Sequence, residues 1–252
     1  MKIYEIARRS LEPVLPPLYA HVRRTIRSEL GKMSGRPRVL DVGGRKSPYT
    51  IGLDADVTIF DLPRTSDLQH ALNLGLTDTI VSDLRSKRSN ISAFVFGDMT
   101  ECDLPSESFD MVVSVEVLEH VELDEKFIEN VARVLRPGGC FIMTTPNGDF
   151  VENRNPDHKR HYKRAELISL LERHLNPVRV EYAIAGGYFR KIGLRSWKLR
   201  APIATAMSAL GNVVNSFQSA DANINNQAIG THHLLAVAAR HEKNVKDAET
   251  SE

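Results

Sequence analysis

Cysteine is scarce in this chain of 252 residues: there are two, Cys102 and Cys140, and they show no metal-ligand spacing. That argues against a disulfide framework and fits a reducing compartment. No apolar run approaches the roughly 20 residues that cross a bilayer as a helix. The opening stretch MKIYEIARRSLEPVLPP mixes charges and prolines without an apolar core, so it does not read as a secretory leader. The expectation is a soluble, cytoplasmic protein. An excess of either charge is missing too: 33 Lys and Arg stand against 32 Asp and Glu, for a formal net charge of +1. Such a balance gives no global footprint for nucleic acid. Internal repeats and low-complexity tracts are absent. What is present is ordinary globular composition, 42% hydrophobic and 26% charged, enough for one α/β domain with an elaboration.

Short apolar runs alternate with helical periodicity along most of the chain. PLYAHVRRTIRSELG, residues 17–31, reads as a polar helix closed by Gly31. Buried strands are expected at 39–42, 57–61, 93–98, 109–115 and 140–145, with two more in VRVEYAIA and HHLLAVAA. Between them, 123–135 places Phe127, Ile128, Val131, Val134 and Leu135 on one helical face, RPGG at 136–139 stops that helix, and 163–175 is a further amphipathic helix. This order implies a mostly parallel, doubly wound sheet with helices on both faces. Ligands bind such a sheet beyond the carboxyl ends of its central strands. Four strand ends carry candidate ligand residues: Asp41 to Ser47, Asp61, Asp98, and Ser114 to His120.

VLDVGG ends the first strand in glycines that let backbone approach a ligand, or simply turn the chain. Asp41 can accept from loop amides or from a ligand ammonium. Asp61 can hold a ribose diol in its two oxygens, or cap the next helix. Asp98 can meet an adenine amino group with Met99 packed on the ring, or belong to an ordinary turn.

VLDVGG, VTIFD, FVFGDMTECDLPSESFDMVVSVEVLEHV and VARVLRPGGCFIMTTPNG, in this order and spacing, resemble the class I S-adenosylmethionine-dependent methyltransferases. The likeness is nearest to the ubiquinone-type O-methyltransferase branch and covers roughly residues 37–175. It implies a Rossmann-like seven-stranded sheet with an antiparallel last strand near 231–239. It implies that Gly43 and Gly44 line the methionine part of S-adenosylmethionine, that Asp61 takes the ribose, that Asp98 and Met99 meet the adenine, and that Ser114 closes over the methionyl end. The chain departs from the family at Arg45-Lys46-Ser47-Pro48-Tyr49, where further glycines are usual. Either the loop is re-routed with Tyr49 packing near the donor, or donor binding is weakened.

On the acceptor side, methyl transfer from a sulfonium needs alignment and, for a hydroxyl acceptor, a base. Glu116, Glu119 and His120 follow the fourth strand. By the same resemblance they form a candidate site for a divalent cation such as Mg2+. The competing expectation is that the acids cap a turn and His120 packs under the sheet. Asn147, Asp157, His158, His161 and Tyr162 lie in the stretch after the fifth strand. Among the titratable groups, His161, His120 and Glu116 are the catalytic candidates, with His161 preferred to His158 as base because it lies nearer the helix start. Residues 186–230 interleave aromatics with Arg190, Lys191, Arg195, Lys198 and Arg200, and then set Ile203, Met207, Leu210, Val214 and Phe217 on one side of a helix. Two expectations stand for this segment: a lid whose apolar face lies on the domain, and a peripheral membrane contact through 188–217.

The expected organisation is an N-terminal helical segment (1–36), a donor-binding core (37–185), a lid or acceptor-side insertion (186–230), a final core strand (231–241) and a disordered tail (242–252). The expected function is S-adenosylmethionine-dependent methylation of a small-molecule acceptor, by O-methylation of a saccharide, lipid-linked or quinone-like compound. The alternative is a donor-binding fold without catalysis, which rests on the altered loop. A nucleotide-linked dehydrogenase would want G-x-G-x-x-G, which GGRKSP does not supply. A short basic stripe with no base-flipping motif argues against nucleic acid as the acceptor.

Overall fold

Seven strands form one sheet in the order β3-β2-β1-β4-β5-β7-β6 in a computed structural model that describes residues 1–64, 75–195, 197, 200–221 and 223–241. The strands are β1 (Arg38–Val42), β2 (Asp56–Asp61), β3 (Ile91–Phe96), β4 (Phe109–Val115), β5 (Leu135–Pro146), β6 (Val178–Ala185) and β7 (Thr231–Ala239). β1 to β5 pair in parallel, and β7 runs antiparallel to both of its neighbours, β5 and β6. The strand order reverses between β1 and β4, so the crevice opens where Val42 and Val115 end their strands. The tail expected at 242–252 lies outside the described residues, as does Lys198.

The helices are α1 (Ile3–Ser10), α2 (Pro17–Leu30), α3 (Asp78–Lys87), α4 (Asp124–Val134), α5 (Arg164–Glu172), α6 (Tyr188–Gly193) and α7 (Pro202–Ser219). Strand residues alternate between two apolar layers because successive side chains point to opposite faces. Leu40, Val112 and Phe141 join Phe127, Ile128 and Val131 of α4 on one side. Val39, Met111 and Ile142 join Leu18, Val22 and Ile26 of α2 on the other. α4 starts on Asp124 and Glu125 and carries Arg133 in its last turn, the charge order its dipole favours. It ends at Val134. Leu135 and the RPGG run after it are drawn into β5, where Leu135 pairs with Phe109 and the register then shifts. The strand thus begins five residues before the apolar run at Cys140.

The segment between β6 and β7 departs most from expectation. Ser208, Gly211, Asn212 and Asn215 are the buried face of α7, while Ile203, Met207, Leu210 and Phe217 are exposed. The expected lid with its apolar face on the domain is therefore corrected. Hydrogen bonds set the orientation: Asn212 Nδ2 donates to Val14 O (3.0 Å) and Gly193 O (3.1 Å), Asn215 Nδ2 to Ala185 O (2.8 Å), and Ser208 Oγ to Gly193 O (2.9 Å). Gly211 permits the close crossing, since a Cβ there would stand 3.0 Å from Ile192 Cγ2 and from Phe189 O. No helix among the described residues is long and apolar enough to cross a membrane.

Candidate functional site

Two concavities adjoin the carboxyl ends of β1 and β4, and the segment after β4 stands between them. The first is a cleft of about 430 Å³. Gly43, Asp61, Asp98 and Met99 line it, with Val117 and His120 on its far wall. Gly43 sits at φ +71°, and a Cβ there would stand 2.7 Å from Val117 Cγ2, so this position needs glycine twice over. Asp61 Oδ1 accepts from Leu62 N at 2.9 Å, and Oδ2 accepts from Arg45 N at 3.4 Å. Burial raises its pKa, while those amides and the nearby Arg45 and Lys46 charges pull it back. Asp98 caps the turn at Met99–Glu101, its Oδ1 accepting from both Thr100 N and Thr100 Oγ1 at 2.8 Å. Its Oδ2 stands outside those bonds. Met99 is buried beside the core and forms apolar floor.

Asp41, Gly44 and Ser114 stand behind this cleft rather than on its wall. Asp41 is fully buried. Its Oδ1 accepts from Ser47 Oγ (2.8 Å) and its Oδ2 from Thr50 Oγ1 (2.6 Å), while Arg88 Nη2 donates to Thr50 Oγ1 (2.9 Å). Burial pushes its carboxyl up to about 6 against the pull of Arg88. Asp41 thus organises the loop. The non-glycine residues at 45–49 are accommodated because Ser47 supplies the hydroxyl that Asp41 takes. Tyr49 turns into the α2 side of the core, 6.5 Å from the Tyr19 ring, instead of toward the cleft. A Cβ on Gly44 would strike Asp41 Cγ at 2.7 Å, so its glycine serves this knot. Ser114 is buried in β4 with its hydroxyl unpartnered.

The second concavity, about 190 Å³, lies under α2, α6 and α7. Glu116, Arg190, His233, Tyr19, Asn212 and Asn215 supply its polar wall. Glu116 Oε1 accepts from Thr144 Oγ1 at 2.9 Å, and Oε2 stands 3.6 Å from His233 Nε2. Burial raises its carboxyl to about 7, opposed by Thr144 and the Arg190 charge. Burial also lowers Arg190 to about 10 and holds His233 well below an ordinary imidazole, hence neutral. Glu116 has φ +55° and Ile184, on the same wall, φ +63°. Left-handed backbone at a glutamate, and more so at a β-branched residue, costs free energy and clusters at functional sites. The sequence reading missed Tyr19, Ile184, Asn212, Asn215 and His233, and named Arg190 only as part of the basic stretch before α7. The one available signal was a small and polar stripe, Ser208, Gly211, Asn212 and Asn215, at helical spacing.

The proposed metal trio does not assemble. Glu116 turns to Thr144 and His233, and the ligand atoms that gather within 4.8 Å are those of Glu119, His120 and His158. One carboxylate with two imidazoles is not the oxygen-rich shell magnesium requires, so these residues do not fit Mg2+. His161 is also a poor base. Its Nδ1 must donate to Val151 O (2.9 Å), and its Nε2 then accepts from His158 Nδ1 (2.8 Å), which leaves no free lone pair. His120 Nδ1 donates to Asp157 O at 3.0 Å and leaves Nε2 open on the cleft. Tyr162 donates to Asp124 Oδ2, and Asn147 is buried against Ala228 and Thr231, so both hold loops together.

Comparison with known proteins adds to this geometry. Residues 65–143 match the family model described as a methyltransferase domain. A protein of Mycolicibacterium smegmatis described as a probable S-adenosylmethionine-dependent methyltransferase is 35% identical over 109 residues, 41% of this chain and 42% of that protein. The chain carries a class I S-adenosylmethionine-dependent methyltransferase domain. This methyltransferase domain is also similar to a ubiquinone biosynthesis O-methyltransferase of Chelativorans, 28% identical over 155 residues, 55% of this chain and 54% of that one. The chain thus spans about half or less of the curated relatives' length. Among solved structures, phosphoethanolamine N-methyltransferase 2 of Haemonchus contortus shares the class I methyltransferase fold at a TM-score of 0.56 and 18% identity, covering 88% of this chain and 52% of that one.

Proposed function

We propose that this chain transfers a methyl group from S-adenosylmethionine to a hydroxyl of a small acceptor, with Glu116 as the general base. The cleft has the size of a small-molecule site and the donor set the cofactor needs. Asp61 would take the ribose hydroxyls, Asp98 and Met99 the adenine, and the bare backbone of Gly43 the chain leading to sulfur. When bound, the cofactor supplies an electrophilic methyl on a sulfonium that leaves as a neutral thioether. Glu116 accepts the hydroxyl proton as the oxygen–carbon bond forms. Thr144 holds the carboxylate, and Arg190 balances its charge.

The observation that carries this reading is Glu116 itself: a carboxyl raised to about 7, at a strained φ, in a largely apolar cavity that shares the 116–120 segment with the donor cleft. A base tuned near the working pH is the efficient one. Resemblance to the ubiquinone O-methyltransferase supports O-methylation, and the apolar part of the wall (Pro16, Pro17, Leu18, Ile184 and Leu194) suits a lipid-linked or quinone-like acceptor better than a free saccharide. Incubation with labelled donor and panels of saccharides, lipid-linked saccharides and quinols should yield an O-methyl product and equimolar S-adenosylhomocysteine. Donor binding with no methylated product on any panel would favour a donor-binding fold without catalysis.

A further inference from the structure

α7 is an amphipathic helix turned inside out. Its 18 residues include no charged side chain. Ser208, Asn212 and Asn215 face inward to carbonyl partners, and Ile203 (78% exposed), Met207 (45%), Leu210 (63%) and Phe217 (76%) face outward. With half-buried Val214, these positions recur at spacings of four and three and form one stripe along the helix, about 21 Å long at 1.5 Å per residue. A helix normally buries such a stripe. Here the inward hydrogen bonds fix the opposite face, so the stripe is left for a partner.

Charge selects that partner. From Tyr182 to Ala220 the sequence has no acidic residue and five basic ones, Arg190, Lys191, Arg195, Lys198 and Arg200. Arg190 turns into the cavity, whereas Lys191, Arg195 and Arg200 are exposed just before the helix. Exposed Tyr188, Phe189 and Trp197 accompany them, the aromatics that settle at a lipid–water boundary. An apolar stripe on an uncharged helix, preceded by lysine, arginine and aromatics, complements an anionic lipid surface. A second copy of the chain would bring the same basic residues and no acid from this segment to neutralise them. We propose that α7 lies in the interface of an anionic membrane, apolar stripe down, with Lys191, Arg195 and Arg200 on lipid headgroups. This placement does not depend on the identity of the acceptor or on Glu116.

The test is cosedimentation of the full chain with vesicles of phosphatidylcholine alone and of phosphatidylcholine with phosphatidylglycerol. The protein should pellet with the anionic vesicles, less so as salt rises, and remain in solution with the neutral ones. A Leu210→Ser, Phe217→Ser variant, with both side chains already exposed, should keep the wild-type melting temperature and lose on the order of tenfold or more in vesicle partitioning. Failure to pellet with anionic vesicles would overturn the proposal. So would a concentration-dependent dimer that the variant abolishes, which would assign the stripe to a second copy.

Discussion

Glu116→Gln should lower kcat by about 10²–10⁴-fold, the usual contribution of a positioned general base, and leave donor affinity near its wild-type value. Glutamine keeps the volume and can still accept from Thr144 Oγ1, so the cavity wall stays intact. The pH profile separates a base from a scaffold. Because burial raises Glu116 to about 7, wild-type kcat should rise with pH through that point, and the variant should lack that limb. Stability moves the other way. A carboxyl whose folded pKa is raised from 4.5 to about 7 favours the fold fully below pH 4.5 and loses that contribution as pH rises through 7. The wild type should therefore lose stability relative to the variant between pH 4.5 and about 7, and the difference should level off above neutrality. Full activity in Glu116→Gln, or a surviving limb near pH 7, would show that Glu116 is not the base and only supports the cavity wall through Thr144.

Asp61→Ala should weaken S-adenosylhomocysteine binding by about 1.5–3 kcal/mol, roughly 10- to 150-fold, the cost of losing a charged acceptor for hydroxyl donors. The melting temperature of the free protein should change little. Asp61 and Leu62 line the cleft, so water can replace the carboxylate that accepts from the Leu62 and Arg45 amides. Asp41 offers the contrasting case: it is sealed from solvent and bonded to Ser47 and Thr50, so its loss belongs to folding. Unchanged affinity in Asp61→Ala would make Asp61 a loop organiser as well.

The donor half was legible in the sequence because its signals are local. A run such as VTIFD fixes strand, strand end and carboxylate within a few residues, and Gly43 announces its turn directly. What sequence alone misassigned was the partner of each group. Asp41 looked equally able to meet a ligand or its own loop, and only the folded loop shows Ser47 and Thr50 taking it. Glu116 and Glu119 are close in sequence but diverge because Glu116 adopts left-handed backbone and turns to Thr144. The cavity was hidden because Tyr19, Ile184, Arg190, Asn212 and His233 come from α2, β6, α6, α7 and β7, far apart along the chain. α7 was misread for a physical reason. Its apolar stripe obeys the usual rule for a buried face, but three buried polar side chains and one glycine give the opposite face stronger, directional reasons to pack.

The central claim is that the crevice at β1 and β4 is a site for S-adenosylmethionine. Calorimetric titration of the purified chain with S-adenosylmethionine, S-adenosylhomocysteine and NAD tests it most directly. One saturable site for each sulfur ligand, competitive between the two, and no heat from NAD is the predicted result. Tight NAD binding with no response to either sulfur ligand would contradict it.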